Sequence, residues 1–156
     1  MTRRSRYLAL ALLAAAAACD PPVPPAEAPS PQAPAPAQTG DLAAARAKWN
    51  AGKPASYAYD FSVTCFCIHR GEYAVEVRGG RITSLRTAEG AAVPEDRAAY
   101  ILTVDQIFDR IQSASGQGTP TRVVYDPALG YPTEAEVGLL ADDSGTLYRV
   151  TNLRPL

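Results

Sequence analysis

Cys65-Phe66-Cys67 is the part of this sequence with the clearest chemical potential. Residues two apart on a strand point the same way, with alpha carbons about 6.6 Å apart. That is the upper edge of disulfide geometry, so a bond requires the strand to bend here. Closing a three-residue loop restricts the unfolded chain little, and the chain-entropy relation gives only about 1.6 kcal/mol. Three chemistries fit the pair: a local structural disulfide, thiol-disulfide exchange, and binding of a soft ion such as cuprous ion by paired thiolates. His69 extends the motif to C-x-C-x-H. On a regular strand Cys65 and His69 would stand about 13 Å apart, too far for one ion with bonds near 2 Å. They converge only if the chain turns after Cys67, which Gly71 permits but does not demand. The expectation is an exposed loop histidine and no metal site.

Other polar residues assemble less. Glu134 and Glu136 share one strand face and read as a charged exterior. Asp142-Asp143-Ser144-Gly145 and Asp126-Pro127 have calcium-like composition without the ligand spacing, and turn chemistry accounts for them. There is no G-x-S-x-G elbow, no phosphate-binding glycine loop, and a single histidine. No catalytic residue is assigned, and the chain reads as a non-enzyme without cofactor. Tyr125-Asp126-Pro127-Ala128-Leu129-Gly130-Tyr131-Pro132 is the most distinctive loop. A tight strand connection whose tyrosines cover the core edge is the simpler reading. Tyr125, Asp126, Gly130, Tyr131 and Pro132 are also a candidate binding surface, because rigid aromatics contribute contact area at low entropy cost.

The first 18 residues read as an export signal. Arg3, Arg4 and Arg6 precede an unbroken apolar run from Tyr7 to Ala18. At 1.5 Å per residue that run spans about 18 Å, short of the roughly 30 Å hydrocarbon core. Ala16-Ala17-Ala18-Cys19 resembles the lipobox of bacterial lipoproteins, with alanine where that pattern favours leucine. The resemblance makes Cys19 the lipidated, palmitate-bearing residue of the mature chain; ordinary cleavage after Ala18 is the alternative. With Cys19 acylated, the odd count of 3 cysteines becomes the pair Cys65 and Cys67. Asp20 at position +2 resembles the inner-membrane retention signal of enteric bacteria, a rule that does not hold in all groups; inner and outer membranes both stand as destinations. Residues 19–40 form a linker in which eight prolines alternate with alanines, and it should be extended and solvated. Residues 41–156 form one domain. An oxidising extracytoplasmic location favours the bond between Cys65 and Cys67.

The chain's net charge of -1 carries no basic field for nucleic acid. Within the domain, Asp41 caps a helix to about Asn50 that presents Leu42, Ala45 and Trp49, with Gly52 as its stop. Tyr57, Tyr59, Phe61, Val63, Cys65 and Cys67 then alternate with more polar residues, which makes a long half-buried strand. Glu72 to Arg78 is the next strand, and Gly79-Gly80 is a two-residue hairpin. Arg81 to Thr87 returns, with a parity break between Ile82 and Leu85 that asks for a bulge. Gly90 to Tyr100 is irregular. Thr103 and Gln106 form a capping box, followed by the stripe Val104, Ile107, Phe108 and Ile111. Thr121 to Tyr125, Thr133 to Leu140 and Leu147 to Leu153 are strands. The expected class is α+β: an antiparallel sheet of about five to six strands with two α-helices packed on one face, in the order α-β-β-β-α-β-β-β.

Trp49, Tyr57-x-Tyr59, Cys65-x-Cys67, Gly79-Gly80, the Val104 to Ile111 helix and Tyr125-Asp126-x-x-x-Gly130-Tyr131-Pro132 together resemble an uncharacterised family of bacterial lipoproteins with a conserved domain of unknown function. The resemblance covers about residues 41–154. It implies an envelope location and a small α+β fold, and no activity. A helix on an antiparallel meander is also similar to small envelope inhibitor and PepSY-type modules, a likeness of fold alone. The leading expectation is a lipid-anchored envelope protein whose domain binds a protein or peptide partner. The alternatives are a thiol-redox or soft-metal protein using Cys65 and Cys67, and an inhibitor of an envelope hydrolase.

Overall fold

Asp41 accepts a hydrogen bond from the Ala43 amide and opens α1, Leu42–Gly52. The helix runs two residues past the sequence expectation because Pro54, not Gly52, ends it: Lys53, forced extended by the following proline, has φ -65° and ψ 133°. The computed structural model describes residues 41–156. The export signal, Cys19 and the Pro/Ala linker lie outside the described residues.

Alternation then sets β1, Ser56–Cys65, with Tyr57, Tyr59, Phe61 and Val63 buried. β2, Gly71–Arg78, buries Tyr73, Val75 and Val77, and β3, Arg81–Thr87, pairs with it. Gly79 and Gly80 have φ 55° and 76°, the positive angles a two-residue hairpin requires. The parity break is a bulge: Val77 pairs with Ile82 but Glu76 with Ser84, so Thr83 is the extra residue.

The expected two-helix order needs correction. Between β3 and the capped helix lies a one-turn helix, α2, Glu95–Ala98, so among the described residues the order is α-β-β-β-α-α-β-β-β with three α-helices. Pro94 stands before it with a fixed φ of -57°, and Glu95 and Asp96 sit in its first turn where the helix dipole favours them. It buries no residue, so no hydrophobic period betrays it. α3, Val104–Gly116, starts at the Thr103–Gln106 capping box and buries Val104, Ile107, Phe108, Ile111 and Ala114.

β4, Thr121–Tyr125, β5, Pro132–Val137, and β6, Thr146–Pro155, complete the sheet. β5 stops three residues short of the expected Leu140. Gly138, at φ 80°, turns the chain so closely that a Cβ there would meet Ser144 O at 2.8 Å. Leu139 is exposed, and Leu140–Asp142 forms a 3-10 turn.

The six strands are ordered β3-β2-β1-β6-β5-β4, and every pairing is antiparallel. Two three-strand meanders thus join through their first and last members, β1 and β6. α2 and α3 carry the chain from the β3 edge to the β4 edge. One sheet face, under Trp49 of α1 and the α3 stripe, holds the core. The other carries charge: Arg122 reaches Glu134 at 3.4 Å and Glu136 at 3.3 Å, and Arg149 reaches Glu134 at 3.1 Å. Glu134 and Glu136 are therefore the charged exterior their spacing suggests.

Candidate functional site

β1 and β2 part after the Val63–Gly71 pair, while Cys65 still pairs with Thr146 of β6. The strand ends there, so Cys67, read as its last inward residue, lies beyond it. The chain bends at Phe66 and Cys67 and turns at Ile68 and His69 before β2 begins. Bending shortens the Cys65–Cys67 alpha-carbon separation to 5.3 Å, inside the disulfide range, and the structure joins the two sulfurs.

The same turn brings His69 back. Its Nε2 lies 3.3 Å from Cys67 Sγ, and the donor atoms of Cys65, Cys67 and His69 all lie within 4.8 Å of one another. The regular-strand spacing that separated Cys65 from His69 does not apply, because four residues of turn replace four of strand. Two contacts hold this conformation. Tyr73 Oη donates to the His69 carbonyl at 2.9 Å. The Tyr100 ring stacks on the imidazole with centroids 4.4 Å apart and planes 6° from parallel. Tyr100 follows α2, so the short helix that buries nothing positions the residue that orients His69.

His69 is half-buried, and burial, then the Arg110 guanidinium, push its pKa below the usual imidazole value. Burial pushes the Tyr73 phenol up, partly offset by Arg97. Around the turn the surface is apolar and cationic. Phe66 is 82% exposed, Ile68 63% and Tyr100 49%. Arg70 and Arg97 line one hollow with Phe66, Cys67 and Ile68. Arg110 lines a second with His69, Tyr100 and Tyr148.

The Tyr125–Pro132 loop faces the other way, into the fold. Asp126 Oδ1 accepts from the amides of Ala128 at 3.0 Å and Leu129 at 2.6 Å, and the Asp126 amide donates to Tyr131 O at 2.8 Å. Gly130, buried at φ 79°, lets the loop approach α1 so closely that a Cβ would lie 2.5 Å from Ala45 O. Lys48 Nζ donates to Pro127 O at 2.6 Å. Tyr131 meets Trp49 edge-on at 6.1 Å, Tyr125 stacks on Phe108 at 6.0 Å, and Pro132 is buried. Burial, then Asp41, pushes the Tyr125 phenol up to about 12, and burial with Asp126 raises Tyr131. The loop thus packs against α1 through Pro127, Gly130 and Tyr131 and against α3 through Tyr125. Asp142 and Asp143 are exposed in the following turn, with Asp143 at φ 57°.

Among the described residues, Cys65, Cys67 and His69 are the group of three whose donor atoms could share an ion. Phe66, Ile68 and Tyr100 were not singled out from sequence; Phe66 and Ile68 alternate with the cysteines as outward residues and could have been. Tyr100, 31 positions from His69, left no local signal. Residues 41–155 match the model of the DUF6174 family, a family of unknown function, and the chain belongs to that family. No curated protein and no solved structure matches it.

Proposed function

We propose that this DUF6174 domain is a non-enzymatic docking module of the bacterial cell envelope, lipid-anchored through Cys19 and carried on the proline-rich linker. Its occupant is a partner protein or peptide presenting apolar residues beside acidic ones. The observation that carries this reading is the surface at the β1–β2 turn. Phe66, Ile68 and Tyr100 place three large apolar side chains in water around one turn, with Arg70 and Arg97 beside them. Clustered exposed apolar surface is costly unless something covers it, and arginine with aromatic residues is the composition of binding hot spots. The anchor rests on the lipobox-like Ala16-Ala17-Ala18-Cys19 sequence.

The test is a photocrosslinking residue at position 66 of the full-length chain in intact cells, with one at exposed Leu139 as comparison. A discrete adduct from position 66 that is absent from position 139 and lost on Arg97→Glu supports docking. Equal or absent adducts at both positions overturn it. Intact mass of the mature chain, with and without reductant, reads the anchor: a diacylglycerol-sized increment on Cys19 is expected, and an unmodified amino terminus removes it.

A second reading, thiol-disulfide exchange, is favoured by the half-exposed Cys67 beside that apolar surface. A reduction potential far below that of the glutathione couple eliminates ready exchange.

A further inference from the structure

We infer that Cys65, Cys67 and His69, once the cysteines are reduced, form a three-coordinate site for one soft monovalent cation, Cu(I). The inference is independent of partner docking.

Paired thiolates with an imidazole are the donor set that soft ions select over hard ones. A trigonal ion with bonds of about 2.3 Å to sulfur and about 2.0 Å to nitrogen sets its donor atoms roughly 4 Å apart. The three donors already lie within 4.8 Å of one another, with Cys67 Sγ and His69 Nε2 at 3.3 Å. With alpha carbons 5.3 Å apart, rotation about χ1 is enough to part the two sulfurs to the required distance without moving the backbone. Three donors complete the coordination of Cu(I), whereas Zn(II) would have to take its fourth ligand from water, because no fourth cysteine, histidine or carboxylate joins this group among the described residues.

The surroundings suit the complex. Two thiolates and Cu(I) carry one net negative charge, which Arg70 and Arg97 face across the hollow beside Cys67. Tyr100 and Tyr73 fix the histidine before any ion arrives, by stacking on its ring and bonding its carbonyl. Phe66 and Ile68 flank the sulfurs with apolar surface.

The electron balance is simple. A dithiol reductant gives two electrons and two protons to the Cys65–Cys67 bond and becomes a disulfide itself. Cu(I) then displaces both thiol protons and takes the two sulfurs and the imidazole nitrogen, with no change in its own oxidation state. Binding is thus open to the reduced protein and closed to the oxidised one.

The test uses the full chain in detergent, reduced with dithiothreitol, desalted without oxygen and titrated with Cu(I) against the chromophoric chelator bicinchoninate. One Cu(I) per chain is expected for reduced protein and none for oxidised protein. The double variant Cys65→Ser/Cys67→Ser should bind none at this affinity, which also accounts for any thiol at Cys19. His69→Ala, checked as folded by circular dichroism, should weaken binding by about tenfold or more. X-ray absorption should place two sulfurs and one nitrogen around copper, a readout that needs no variant. Equal uptake by oxidised protein, no retention by reduced protein, or an unchanged affinity in His69→Ala overturns the site.

Discussion

The indole Nε1 of Trp49 donates to Asp105 Oδ1 across 3.2 Å, joining the last turns of α1 to the first turn of α3. Lys53 Nζ reaches the same oxygen at 2.8 Å. Asp105 also sits where the α3 dipole favours negative charge. The ion pair is partly exposed and adds little, whereas the indole is buried and would otherwise lack an acceptor. Asp105→Ala should destabilise the domain by about 1–2 kcal/mol in urea unfolding. Asp105→Asn keeps an oxygen for the indole and should lose roughly half as much. An equal loss in both would show that charge, not the indole bond, is what matters.

Tyr57 and Tyr59 point into one core, yet their hydroxyls differ. Tyr59 Oη donates to Leu102 O, while Tyr57 Oη is buried without a well-formed hydrogen bond and has only the Val104 amide near it. Tyr59→Phe should therefore cost about 1 kcal/mol, leaving a carbonyl unpaired. Tyr57→Phe removes at most that weak contact and should cost less than Tyr59→Phe. Chemical denaturation of the two variants side by side gives the comparison, and a reversed order would refute this assignment.

Glycine substitutions separate close approach from helix propensity. Gly130→Ala places a methyl against Ala45 O at a positive φ and should cost more than about 2 kcal/mol, loosening α1 from the sheet. Gly116→Ala, in the last turn of α3 with nothing within 4 Å, should raise stability by up to about 1 kcal/mol. Thermal unfolding distinguishes the two by sign.

His69 is the only histidine, so one imidazole resonance reports the turn directly. Its NMR titration midpoint should fall below the ordinary 6.5, and Arg110→Gln should raise it. Because the folded pKa is lowered, the unfolded chain binds the extra proton first. The contribution is fully present above the unfolded pKa and is lost as pH falls through the window beneath 6.5. A midpoint above 6.5 would contradict the burial and charge described here.

Local chemistry was legible in advance and distant contact was not. Thr103 and Gln106 satisfy each other three residues apart, and the Tyr57–Val63 alternation states its own burial, so both could be read from sequence. α2 could not, since it is held by Pro94 and a few first-turn charges and leaves no apolar period. The convergence of His69 on the cysteines depends on Tyr73 and Tyr100, and neither contact follows from C-x-C-x-H spacing. In the Tyr125–Pro132 loop, Gly130 and Pro127 make close contacts with α1 that the loop sequence alone does not specify.

The β1–β6 ladder couples the domain's folding to its own completion. Tyr57 pairs with Pro155 and Ala58 with Arg154, so the middle of the sheet lacks a strand until β6 is in place. Without β6 the chain holds one three-strand meander and the β4–β5 hairpin, each with an unpaired inner edge, and contacts of such sequence separation form late. The two halves of the sheet therefore stay pliable until β6 docks between them, and their rigidity comes with that single strand.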